Sequence, residues 1–111
     1  MLKVDRREVD AATVIAVEGE VDLYSSPQMR EALLAAIKAG SARVVVDLTG
    51  VSYMDSSGIA TLVEALGGLR EKGRALVLAG LRPRVREVFE IAKLQTVFTL
   101  AESVDAALAD G

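Results

Sequence analysis

Asp55-Ser56-Ser57-Gly58 puts a carboxylate, two hydroxyls and a residue without a side chain in four consecutive positions. The run before it, Val44-Val45-Val46-Asp47-Leu48, has the length and apolarity of a buried strand. Ile59, Leu62, Val63, Leu66 and Leu69 after it share one face of a helix. The tetrapeptide therefore reads as a loop-to-helix junction, where unpaired N–H groups and the positive end of the helix dipole favour an anion. A serine at such a place is either a plain N-cap or an acceptor for a phosphoryl group. A cap needs one hydroxyl, and here two adjoin. Gly58 costs a helix roughly 1 kcal/mol against alanine, and its missing side chain reads as room for another molecule to approach the backbone. Asp55 reads either as a turn-former or as the group that orients a serine hydroxyl.

The rest of the composition removes most competing chemistry. The chain has no histidine and no cysteine, which excludes His-based triads, the usual zinc sites, disulfides and thiolate reactions. There is no Gly-x-Ser-x-Gly elbow and no Gly-Lys-Ser/Thr phosphate loop, and no acidic cluster has calcium-loop spacing. Asp47 lies on a strand as in a receiver domain, but the strand-end lysine such a domain needs is missing. Neither a cofactor nor a metal is called for. Thirteen basic and sixteen acidic residues give a net charge of −3, a poor match for nucleic acid. No apolar stretch is long enough to span a bilayer, and Met1 to Arg7 has no apolar signal region. The absence of cysteine fits a reducing compartment. The expectation is a cytoplasmic protein without membrane insertion.

The elements that must position the tetrapeptide can be read along the chain. Lys3 to Val9 partly alternates as an edge strand does, Asp10-Ala11-Ala12 suits a tight turn, and Thr13 to Val17 is an apolar strand ending at Glu18-Gly19. A helix follows with Ser26 as its N-cap, Pro27 in its first position and Gly40 as its stop. Arg43 to Leu48 is the central strand, and the second helix runs from about Ser57 to Lys72. Arg74 to Ala79 is a strand, Pro83 opens a third helix, Val97 to Leu100 is a short strand, and Ser103 to Ala109 is a last helix. Alternating strands and helices imply parallel pairing through right-handed crossovers. This predicts one α/β domain over 1–111, with a mixed, mostly parallel sheet of four to five strands and about four helices. The loops Glu18 to Ser26, Thr49 to Ser57 and Gly80 to Pro83 then gather at one end, carrying Glu20, Asp22, Ser25, Asp55, Ser56, Ser57 and Arg82. Tyr53 and Met54 read as seating the loop.

Val17-Glu18-Gly19-Glu20-Val21-Asp22, the serine-capped helix, Val44-Val46-Asp47-Leu48 and Tyr53-Met54-Asp55-Ser56-Ser57-Gly58-Ile59 together resemble the STAS domain. More narrowly they resemble the bacterial anti-sigma factor antagonists of the SpoIIAA and RsbV type. That resemblance covers the whole chain. It implies a non-enzymatic switch in which the serine after the aspartate, Ser56 here, is phosphorylated by an anti-sigma factor that is itself a serine kinase. The unphosphorylated form binds the kinase and frees the sigma factor; a phosphatase resets the phosphorylated form. Nucleotide and Mg²⁺ belong to the kinase. Asp55, Ser57 and Gly58 would frame the acceptor, and Glu20, Asp22 and Ser25 would form a docking loop. Two alternatives stand beside this reading: a scaffold subunit of a transporter or stressosome-like assembly, with Ser56 only a cap, and a small nucleotide-binding protein.

Overall fold

The strands and helices follow from the pattern just read. β1 (Lys3–Val9) and β2 (Ala12–Val21) pair antiparallel through a turn in which Asp10 takes a φ of 55°, a conformation aspartate tolerates better than most residues. α1 (Ser26–Lys38) leads to β3 (Arg43–Met54), α2 (Ser56–Glu71) to β4 (Ala75–Ala79), α3 (Pro83–Ile91) to β5 (Thr99–Ala101), and α4 (Val104–Ala109) follows. These elements come from a computed structural model that describes residues 1–109. Asp110 and Gly111, the last two positions of the domain expected over 1–111, lie outside the described residues. The strands lie in the order β1-β2-β3-β4-β5, and all pairs from β2 onward are parallel. This is the mixed α/β sheet that alternating strands and helices require.

Period-two alternation divides the strands between two cores. Ile15, Val17, Val44, Val46, Leu48, Leu76 and Leu78 face α1, α2 and α3, whose Met29, Leu33, Leu62, Leu69, Val85 and Phe89 complete the larger core. Val14, Val45, Val77 and Ala79 face the opposite way, under Ala107 of α4. Each fully buried aliphatic side chain contributes about 1.5–3 kcal/mol, so the frame behind the site is rigid. On the solvent side, α1 and α2 are joined by a two-pronged ion pair, Arg30 to Glu64 at 2.7 and 2.8 Å.

Several boundaries differ from the sequence expectation, and one difference matters. β2 and β3 do not stop at Gly19 and Leu48 but run on together, pairing Glu18 with Gly50, Gly19 with Val51, Glu20 with Tyr53 and Val21 with Met54. The register shifts between Ala16 and Glu18 and again between Gly19 and Glu20. Gly19 sits at φ 114°, so it serves an irregularity inside the strand, not a strand end. Residues 18–21 and 49–54, which read as loop, are therefore strand. β4 pairs with β3 only as far as Asp47, leaving the β2–β3 tip to project past it. Arg82, grouped by sequence with the site, donates from Nε to the Thr49 carbonyl at 2.8 Å. That contact is six residues before Asp55, at the end of β4 and away from the tip.

The helix starts also move. Ser25, not Ser26, occupies the N-cap position of α1; Ser26 is its buried first residue and Pro27 its second. Val63 of α2 is 44% exposed, and Ala92 is exposed beyond the end of α3, so neither points inward as their spacing predicts.

Candidate functional site

The tip of the β2–β3 pair carries two turns side by side. The backbone N–H of Asp55 donates to the Val21 carbonyl at 3.1 Å, joining the turn that opens α2 to the turn that opens α1. Both turns are organised by an aspartate. Asp55 is the N-cap of α2, and its Oδ1 accepts from the Ser57 N–H at 3.0 Å and from the Ser57 hydroxyl at 2.5 Å. Its carbonyl accepts from the N–H groups of Gly58 and Ile59, at 3.1 and 3.3 Å. An aspartate cap of this kind satisfies donors that the first helical turn otherwise leaves open.

The two serines consequently have different fates. The Ser57 hydroxyl is held by Asp55, and the residue is half-buried. Ser56 is exposed as the first residue of α2, and among the described residues its hydroxyl has no hydrogen-bond partner. Neither serine caps the helix, because Asp55 does. Gly58 departs from its expected role. It is buried, and a Cβ there would lie 2.7 Å from Met54 Cγ and 2.8 Å from Val21 Cγ1. The absent side chain lets α2 settle onto the strands from above and opens nothing toward solvent.

The first turn repeats the device. Asp22 Oδ1 accepts from the N–H groups of Tyr24 and Ser25, both at 2.9 Å, and from the Ser25 hydroxyl at 3.1 Å. The Ser25 oxygen also accepts from the Asp22 N–H at 2.9 Å and lies 2.8 Å from the Glu20 carbonyl. These bonds, the Ser25 N–H first, hold the Asp22 carboxyl below its ordinary pKa. Asp22 and Ser25 are thus the internal frame of their turn. Glu20 is exposed beside Tyr53, its register partner.

Among the described residues no group of three or more acidic side chains could hold a metal ion, and no helix is long and apolar enough to cross a membrane. The site offers a free hydroxyl at a helix start, next to the Asp55 carboxylate that caps the helix: an acceptor and a surface. The family model described as the STAS domain matches residues 3–107. The chain belongs to the STAS domain family. An anti-sigma-B factor antagonist of Listeria monocytogenes is 37% identical to this STAS chain over 100 residues, covering 89% of the chain and 86% of the relative. One from Staphylococcus aureus is 30% identical over 104 residues, covering 94% and 96%. Among solved structures, the anti-sigma factor antagonist SpoIIAA of Bacillus superposes in both states. Its unphosphorylated form has a TM-score of 0.75 at 22% identity, covering 97% of the chain and 96% of SpoIIAA. Its phosphorylated form has 0.77 at 23%, covering 97% and 98%. The chain is a STAS protein of the anti-sigma factor antagonist kind, a regulatory protein and not an enzyme.

Sequence reasoning missed part of the STAS tip. Leu23 and Tyr24, at the crest of the first turn, are 68% and 91% exposed, and Tyr53 is 49% exposed. Met54 alone seats the loop, at 2% exposure. The signal was present: two large apolar residues directly after Asp22, where the strand pattern has already broken.

Proposed function

We propose that this STAS domain, taken as a single unit from 1 to 111, is a phosphorylation-gated antagonist of an anti-sigma factor. Unphosphorylated, it binds an anti-sigma factor serine kinase and so releases the sigma factor; phosphorylated on Ser56, it lets go, and a phosphatase resets it. The setting is the cytoplasm. The observation that carries the reading is the asymmetry of the two serines: Ser57 is tied to Asp55, while Ser56 stands exposed with its hydroxyl available. The names of the curated relatives support an anti-sigma role over a scaffold.

The geometry also gives the gate a physical basis. A phosphoryl group on Ser56 adds about two negative charges at a helix N-terminus, where the dipole and the first-turn N–H groups favour an anion. Folding therefore does not change. What changes is the surface. To accept a phosphoryl group, Ser56 must face the γ-phosphate of the kinase's nucleotide. A phosphoserine held there faces the remaining nucleotide phosphates, and like charges in a desolvated interface are costly.

Calorimetric titration of both forms against the purified anti-sigma serine kinases of the same genome, with ADP bound, tests this. The phosphorylated form should bind its kinase at least about tenfold more weakly, or about 1.4 kcal/mol, with unchanged circular dichroism. Equal affinity of the two forms, or no binding to any of these kinases, overturns the proposal.

A further inference from the structure

The free energy of docking needs a source other than the acceptor hydroxyl, and the tip provides one. Leu23 and Tyr24 stand in solvent at 68% and 91% exposure, although the chain buries most of its aliphatic residues. They do not hang on a loose loop. The Asp22 carboxylate and the Ser25 hydroxyl fix the backbone on either side of them. Asp22 Oδ1 accepts from the Tyr24 and Ser25 N–H groups, the Ser25 oxygen accepts from the Asp22 N–H, and the single Ser25 hydroxyl proton is shared between the Glu20 carbonyl and Asp22 Oδ1. A rigid, protruding apolar pair has little backbone entropy left to lose on binding. Tyrosine is also among the residues that most often dominate an interface.

The charges around the pair indicate what receives it. Residues 18–26 and 49–59 contain Glu18, Glu20, Asp22 and Asp55 and neither lysine nor arginine, a formal charge of −4. Two copies of this face repel each other, which disfavours self-association through it. Resting on the antagonist reading above, we propose that Leu23 and Tyr24 anchor the docked state by entering a concave apolar pocket on the kinase whose border carries lysine or arginine facing Glu20 and Asp22. That pocket lies apart from the nucleotide, because Ser56, on the neighbouring turn, is the group that meets the phosphates. The two turns divide the work. The first supplies an apolar affinity that does not depend on the state of Ser56, and the second supplies the charge that overrides it.

Leu23→Ser and Tyr24→Ser test this by titration into the same kinase. Both residues are too exposed for their loss to unfold the domain, so melting temperatures should match the unsubstituted protein. Each variant should bind at least tenfold more weakly, and near-saturating kinase should still phosphorylate Ser56, so the loss falls on KM more than on kcat. Affinity within twofold of the unsubstituted protein for both variants, with Ser56 still phosphorylated, overturns the anchor and leaves the antagonist reading standing. Failure of the unsubstituted protein to bind overturns both. Concentration-dependent dimerisation in sedimentation, abolished by Leu23→Ser, would identify a second copy as the occupant and overturn the proposed pocket.

Discussion

The turn that opens α1 and the turn that opens α2 are built alike and present opposite chemistry. In each, one aspartate oxygen accepts from a backbone N–H two residues on and from a serine hydroxyl: Asp22 with Tyr24 and Ser25, Asp55 with Ser57. In each, the residues with the most evident chemistry are taken up by the frame. What remains free differs. The first turn leaves Leu23 and Tyr24 in solvent, an apolar pair that carries no charge in the unmodified chain. The second leaves Ser56, where the proposed phosphorylation would change the charge by about two units. In this protein, being polar does not make a residue functional. Polar side chains engaged by the backbone hold each turn, and the side chains left free are the ones proposed to carry docking and its gate.

Variants that strike the shared foundation should have the largest effect. Gly58→Val would push a branched side chain into Met54 and Val21, and Val21 is the strand residue that precedes the first turn. Overpacking of this kind costs about 1–3 kcal/mol, and denaturant titration should show that loss. A stability like that of the unsubstituted protein would mean that the turns do not share a floor.

Asp55→Ala removes the α2 cap and should cost about 1 kcal/mol, lowering the melting temperature by roughly 4 °C. It also releases the Ser57 hydroxyl, so phosphorylation should begin to spread to Ser57. Mapping by fragment-ion mass spectrometry checks this. A single modified serine in the variant would mean that the kinase, not Asp55, makes the choice.

Asp22→Ala should be milder and dependent on pH. The Asp22 pKa is lowered on folding, chiefly by the Ser25 N–H, so its carboxylate stabilises the folded state above its unfolded value, near pH 3.8. That contribution disappears as the pH falls through the lower folded value. The stability difference between the unsubstituted protein and Asp22→Ala should be constant from neutrality down to about pH 4 and should close below it. A difference that does not depend on pH would show that the turn is held by something other than the charge. Smaller still, Ser56→Ala should change stability by no more than about 0.5 kcal/mol, since the hydroxyl caps nothing.

Much of this was legible in the chain. The alternation of strands and helices gave a mixed, mostly parallel sheet, and the two-residue and 3.6-residue periods report which face of each element is buried. Asp55-Ser56-Ser57-Gly58 marked the helix start. Other features needed the third dimension. Gly19 and Glu20 look like the end of a strand, yet pairing with Val51 and Tyr53 extends β2 to Val21, and local propensity does not report such a partner. Gly58 looks like an opening because its neighbours Met54 and Val21 are distant or ambiguous in sequence. Asp55 and Ser56 are adjacent, and only the backbone angles decide which of them caps the helix. Leu23 and Tyr24 are hard to recognise from sequence, because a short apolar pair in a loop resembles a strand remnant until its exposure is known.

The most direct test of the central claim is where the phosphate lands. The unsubstituted protein, Ser56→Ala and Ser57→Ala would each be incubated with the same purified anti-sigma serine kinase and ATP, and their intact masses measured. One phosphate on the unsubstituted protein, one on Ser57→Ala and none on Ser56→Ala is the predicted result. A phosphate that persists in Ser56→Ala and disappears in Ser57→Ala would contradict the account, because the hydroxyl bound to Asp55 would then be the reactive one.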